Sequence, residues 1–239
     1  MLDDYRSFST NEIVKICLNK KMCGRFINLN KNNQLIRIFS INKSIKILDK
    51  FSYNISPSQL LTIITNNNFL NIELANWGLK FIDKNEKTIK IIINSRLETI
   101  KKKMIFSESF EKRKCIIPAN GYYEWKTIAN KKFPFFIHMP NLDTIFFAGI
   151  WKYFYLDNTK HKFFSIITKN SNNNLEKIHN RMPVIFNNDE ANEYLKENKK
   201  DFLNLNFISD IENDLIFYKV SKFVNNPNNN SKECINPIN

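Results

Sequence analysis

Glycine is nearly absent, with four in 239 residues, and Asn, Ile and Lys dominate instead. Such a skew fits an A+T-rich coding sequence, so each individual Lys or Asn says less about selection than usual. The four cysteines (Cys17, Cys23, Cys115 and Cys234) are widely separated and form no CxxC pair. That spacing suggests neither a zinc site nor a disulfide framework. No apolar run approaches the ~20 residues that span a bilayer. The N-terminus also lacks the apolar stretch of a secretory signal. Together these absences lead us to expect reduced thiols, no metal or other cofactor, no membrane partner and a cytoplasmic location.

What is present is a core and a charge. Hydrophobic residues make up 43% of the chain and include 21 Phe, which predicts a globular fold. The formal net charge is +13, and residues 1–21 hold four basic and three acidic groups, so +12 falls on 22–239. A basic surface of this size favours polyanions, nucleic acid first. The bland alternative is codon bias spread over a solvated face.

Residues 1–21 contain a possible capping box, Ser9 to Glu12, ahead of Ile13, Val14, Cys17 and Leu18. This segment reads as an extension outside a domain covering 22–239. From residue 22 the pattern is mixed. Helices are expected over 31–39, 107–112, 172–178, 188–197 and 200–205. Pro57 imposes an extended lead-in over Tyr53–Gln59. β-Branched and aromatic content predicts strands at 60–64, 72–77, 89–93, 115–118, 122–126, 133–138, 145–151, 163–168 and 215–220. Many short strands with scattered helices predict an α+β fold, a curled, barrel-like β core with helices outside it.

Met22-Cys23-Gly24-Arg25-Phe26 is the most informative stretch. If translation starts at Met22 and the Met is removed, Cys23 carries a free α-amine beside its thiol. Their reference pKa values, near ~8 and ~8.5, leave both partly nucleophilic at neutral pH. A 1,2-aminothiol condenses with an aldehyde to an imine, and its thiolate then closes a five-membered thiazolidine.

Further motifs follow in order: YNISPSQ at 53–59, NWGL at 76–79, INSRLET at 93–99, RKCIIPANGYYEWK at 113–126, FAGIW at 147–151, IHNRMPVIF at 178–186 and ECINPI at 233–238. With MCGRF these resemble the SRAP family, the SOS-response-associated peptidase domain proteins, from Met22 to the C-terminus. The resemblance implies a monomeric domain that binds single-stranded DNA in a basic groove and detects abasic sites. There the N-terminal cysteine forms a thiazolidine crosslink with the ring-opened sugar. Residue by residue, Cys23 matches the nucleophile. Glu124 matches the catalytic glutamate, suited to proton transfer during imine formation. His179 matches a histidine able to protonate the sugar-ring oxygen. Asn94 matches an asparagine that hydrogen-bonds the sugar. Arg25, Arg96 and Arg181 match positions facing the DNA backbone, where guanidinium groups make bidentate phosphate contacts. Trp77 is placed to stack on a base or else in the core. Trp125 and Trp151 read as core, and His138 and His161 as surface or packing residues.

The sequence departs from the family pattern mildly at Ser56, Ser95 and Asn120, which replace alanine-type small residues. The 21 residues before Met22 matter more, because a retained leader turns the Cys23 amine into an amide and forbids the thiazolidine. We therefore expect Met22 to be the functional start, with cleavage of the leader before Cys23 as the alternative route to a free amine. Two other readings stay open: a noncovalent single-stranded-DNA-binding protein, and a cysteine peptidase using Cys23 and His179.

Overall fold

The computed structural model of the chain describes residues 24–41, 49–83, 88–156, 158–196 and 202–238. Cys17, Cys23 and the capping box at Ser9 lie outside these residues, as does the start of the helix expected over 200–205.

The first half runs β1 (Phe26–Asn28), α1 (Asn32–Ile38), β2 (Ser52–Ile55), β3 (Leu60–Asn66), β4 (Leu70–Trp77), β5 (Leu79–Asp83), β6 (Thr88–Ile92), β7 (Asn94–Arg96), α2 (Leu97–Ile100) and α3 (Met104–Lys112). The second half continues with β8 (Lys114–Ala119), β9 (Gly121–Ile128), β10 (Lys131–His138), β11 (Ile145–Leu156), β12 (Thr159–Asn170), β13 (Arg181–Pro183), β14 (Ile185–Phe186), α4 (Asn188–Leu195) and β15 (Ile216–Lys219). The predicted strands and the helices at 31–39, 107–112 and 188–197 correspond to elements of this list. Two helices do not. Residues 172–178 hold only a 3-10 turn at Leu175–Lys177, and 202–206 form bends and turns. Asn-rich segments of this kind favour local side-chain-to-backbone bonds over a helical ladder, and Asn172 Oδ1 does accept from the Leu175 N–H at 2.9 Å.

Five strands close a barrel. β4 pairs with β3, β3 with β8, β8 with β11, β11 with β12, and β12 returns to β4 in parallel through Phe163–Asn76 and Phe164–Trp77. Closure removes the unpaired edges that an open sheet exposes. Gly149 of β11 is required by the closeness of the strands, since a Cβ there would sit 2.6 Å from Ile117 Cδ1 and 2.9 Å from Cys115 Sγ. Helices α1, α3 and α4 cover the outside of the barrel through Leu35, Phe106, Phe110, Ala191 and Tyr194. The Tyr194 hydroxyl donates to the Gly149 carbonyl at 2.9 Å. Asn187 and Glu190 form a reciprocal capping box that starts α4.

A second sheet is open, in the order β15-β10-β9-β1-β2. One face packs on the barrel through Phe26, Tyr122 and Ile137. The other, with Ile27, Tyr123 and Phe136, is covered by the C-terminal segment through Val224, Cys234 and Ile235. Gly121 opens β9 at φ +152°, and a Cβ there would lie 2.7 Å from the Ile137 carbonyl oxygen, so only glycine fits.

Candidate functional site

Strand β1 positions Arg25. Its alternating residues go to opposite sides of the open sheet. Phe26 meets Trp77 and Phe147 edge-on, at 5.2 and 5.5 Å between centroids, while Ile27 joins the C-terminal cluster. β1 pairs antiparallel with β9, Phe26 opposite Tyr122, and the Tyr123 N–H donates to the Arg25 carbonyl at 3.0 Å. That bond places Arg25 across from Tyr123, the neighbour of Glu124 on β9.

Arg25 clamps this approach. Its guanidinium donates to Asn54 Oδ1 at 2.7 Å, to the Val224 carbonyl at 2.9 Å and to the Asn225 carbonyl at 3.2 Å. Burial lowers its pKa, opposed by the nearby Cys234 and Tyr123, but an arginine stays charged. Asn54 Nδ2 in turn donates to the carbonyls of Val224, Asn226 and Asn229 at 2.8–3.1 Å. The Tyr123 hydroxyl donates to the Tyr53 carbonyl at 2.8 Å, locking β9 to β2.

Glu124 is 4% exposed, on the barrel-facing side of β9, opposite Phe135 of β10. A carboxylate is held at such depth only when it is partnered or functional. Asn94, 7% exposed, begins β7, which pairs in parallel with β12 at Ile166. The preceding carbonyl, Ile93, accepts both the Trp77 indole N–H at 2.9 Å and the Ile166 N–H at 3.0 Å. Next to it, the Ser95 and Ser165 hydroxyls hydrogen-bond at 3.0 Å. Asn94 is therefore fixed to the barrel wall.

His179 follows the 3-10 turn, between Leu175 and Met182, which both enter the barrel core. Its own N–H donates to the Leu175 carbonyl at 3.1 Å, and its Nδ1 lies 3.0 Å from the Arg181 N–H. Nδ1 also lies 3.3 Å from the Arg181 carbonyl oxygen, so the tautomer of the ring decides which of the two contacts is a hydrogen bond. Phe26, Ile93, Tyr122, Leu175 and Met182, each within four residues of Gly24, Asn94, Glu124 or His179 in the chain, belong to one hydrophobic cluster.

Three expectations need correction. Trp77 is fully buried and stacks on Phe164 at 6.4 Å, so it offers no face to a base and is a core residue. Arg181 directs its η nitrogens to Glu98 at 2.5 and 3.0 Å, to Asn170 Oδ1 at 2.7 Å and to the Thr168 carbonyl at 2.8 Å. It is the bidentate partner of a carboxylate and holds β13 to β12 and α2, rather than facing a phosphate. Arg25 likewise serves the C-terminal clamp. Arg96, at the end of β7, is exposed. Burial by itself would raise the Glu98 pKa, but the hydrogen bond and charge of Arg181 bring it below the ordinary value.

Burial pushes the thiols of both described cysteines, Cys115 and Cys234, upward, which makes them poor nucleophiles. Among the described residues no group of three His, Cys, Asp or Glu side chains could hold a metal ion, and no helix is long and apolar enough to cross a membrane. Asn54 and Asn120 carry roles that sequence reasoning did not assign. Asn120 accepts from the Leu29 N–H at 2.7 Å and donates to the Leu142 carbonyl at 2.8 Å. The signal was their place inside YNISPSQ and PANGYYEW, but a side-chain amide has no spacing rule that announces its partner.

Comparison with known proteins places the chain in a family. A family model described as SOS response associated peptidase (SRAP) matches residues 22–227. The abasic site processing protein YoqW of Bacillus subtilis is 34% identical over 221 residues, covering 90% of this chain and 99% of that protein. The abasic site processing protein YedK of Escherichia coli is 26% identical, covering 91% and 100%. The mouse abasic site processing protein HMCES is 31% identical over 60% of this chain and 49% of its own length. A crystal structure of a protein from Bacteroides thetaiotaomicron superposes with a TM-score of 0.74 at 22% identity, over 90% of this chain and all of that one.

Proposed function

The chain belongs to the SOS response associated peptidase family, and from that premise we propose that it processes abasic sites in DNA, capturing them in single strands as a thiazolidine crosslink on Cys23. The α-amine of Cys23 adds to the C1′ aldehyde of the ring-opened sugar, and the carbinolamine loses water to give an imine. The Cys23 thiolate then adds to the imine carbon, forming the C–S bond while the nitrogen takes up a proton. Glu124 relays the proton from the amine to the departing hydroxyl. His179 offers a ring proton to the sugar-ring oxygen, and Asn94 hydrogen-bonds the sugar hydroxyls. Exposed Arg96 meets the backbone phosphate beside the lesion. The reaction consumes no metal or redox cofactor.

The observation that carries this reading is the β1–β9 register, which leads the chain from Arg25 past Tyr123 toward buried Glu124. The domain is taken to begin at Met22, and the excess positive charge of 22–239 suits a DNA partner. The test is a denaturing gel of protein started at Met22, with the Met removed, mixed with single-stranded DNA carrying one abasic site. A slow band that survives denaturant and vanishes with Cys23→Ala is expected. A band that persists in Cys23→Ala, or no band beside normal binding in a native gel, would overturn the covalent reading. Protein retaining residues 1–22 should bind DNA without crosslinking, since its Cys23 nitrogen is an amide.

A further inference from the structure

The barrel-facing side of the open sheet does not end at Glu124. Residues directly opposite in an antiparallel ladder share a face, and so do alternate residues along a strand. Tyr122, Ile137 and Phe217 are opposite one another, as are Glu124, Phe135 and Lys219, and next come Lys126 and Phe133. The first row packs into the barrel core: Tyr122 and Ile137 belong to the cluster, and Phe217 lies against it. Past Glu124 the sheet outruns the barrel. Lys126, Phe133, Phe135 and Lys219 are all partly exposed and belong to none of the core clusters. The ring of Phe133 is flanked by two ammonium groups, Lys219 Nζ at 4.9 Å and Lys222 Nζ at 5.4 Å from its centroid. Phe135 and Phe217 meet edge-on at 6.3 Å, which holds the Phe135 ring in place. Aromatic faces interleaved with lysines, on a shelf starting at a buried carboxylate, have the composition of a single-strand platform. Bases stack on the rings, and the ammonium groups pair with the phosphates.

We propose that this shelf, with Phe133 as stacking platform and Lys126, Lys219 and Lys222 as phosphate partners, seats the unpaired DNA arm that leads away from the lesion bound at Glu124. The proposal rests on the function proposed above for the place of the lesion, but its readout is reversible binding, which does not need a free Cys23 amine. The full chain and its variants would be titrated by fluorescence anisotropy against two single strands of equal length. One carries ordinary bases throughout; the other carries base-free sugar-phosphate spacers on one side of the central position or the other. Phe133→Ala should weaken binding to the base-bearing strand about tenfold, in line with ~1–3 kcal/mol per stacked base. It should leave binding unchanged on the strand whose spacers occupy the shelf. The double change Lys219→Gln, Lys222→Gln should weaken both strands and reduce the salt slope by about 0.7 for each phosphate left without its ammonium partner. Wild-type affinity in all variants would overturn the shelf, and so would an equal loss from Phe133→Ala on every strand. If Phe133→Ala fails to fold, the salt slope of the lysine double variant decides alone. A wild-type chain that binds normally but never crosslinks would sink the covalent reading and leave the shelf standing.

Discussion

In the barrel each of the five strands has a neighbour on both sides, whereas the open sheet stops at β15 on one side and β2 on the other. The two regions also handle polar groups differently. The barrel and its immediate cover pair their buried lysines, Lys162 with half-buried Glu73 and Lys169 with buried Glu212. The open sheet is held by amides, with Asn54 and Asn120 bridging backbone carbonyls and N–H groups across long sequence separations. The difference bears on where chemistry can sit. A closed barrel gives rigid placement but little access. An open sheet gives access at its ends and needs an added clamp to hold its short strands. Asn94 lies on the barrel wall, Glu124 on the barrel-facing side of the open sheet, and His179 on the turn between β12 and β13.

This contrast can be broken by substitution. The largest effects are expected in the barrel. Trp77→Ala should destabilise the fold by about 3–5 kcal/mol, measured by denaturant unfolding. Unchanged stability with weakened DNA binding would return Trp77 to the DNA surface. Next, Glu212→Ala leaves Lys169 buried without its carboxylate, which is 2.5 Å away in the native fold. It should cost about 3–5 kcal/mol, and Lys169→Met combined with Glu212→Leu should recover most of the loss. Failure of the double variant to recover would mean that Lys169 matters more for its bond to the Phe207 carbonyl, at 2.8 Å, than for its charge.

In the open sheet, Asn54→Ala should cost about 1–3 kcal/mol, because it removes donors to three carbonyls and the acceptor facing Arg25. Hydrogen exchange should speed up in β1, β2 and residues 222–235 while β8 and β11 keep their protection. Uniform loosening would show that the two regions do not open separately.

The smallest effects are those of pH, and the two regions should respond in different windows. Burial lowers the pKa of His138 in β10, opposed by its bond to the Met139 carbonyl. Its folded pKa lies below the unfolded one, so its stabilisation is full above about pH 6.5 and is lost as pH falls through the folded value. Glu98, beside the barrel, has a lowered carboxylate pKa. Its contribution is complete above about pH 4.3 and is lost as pH falls through the folded value. Thermal melts against pH should flatten near pH 6 in His138→Phe and near pH 4 in Glu98→Gln. The reverse assignment would undo both.

Much of this was legible in the chain. Strands β3, β4, β8, β9, β10, β11 and β12 are long and apolar, and their side chains declared them. The short strands β7, β13 and β14 did not, because two or three residues carry no period; their pairing with β11 or β12 creates them. Glu124 stood out as a carboxylate within an aromatic strand. Arg181 was misread because a guanidinium suits carboxylate and phosphate equally, and only the folded position of Glu98 chooses between them. Trp77 was ambiguous for a similar reason, since an aromatic ring serves a core and a base alike.

By itself, then, the sequence determined the order of the long strands, the apolar content of the core, the excess of positive charge and the motifs that mark the family. These depend on residue type and local spacing alone. Tertiary structure decided that β12 would close on β4, that Arg25 would come across from Tyr123, that His179 Nδ1 would meet the Arg181 backbone, and which arginines would be bound to the protein itself. Each depends on which atoms meet across tens to hundreds of residues, and hydrogen-bond partners at that range are chosen by the packing of the core, not by the chain order that precedes it.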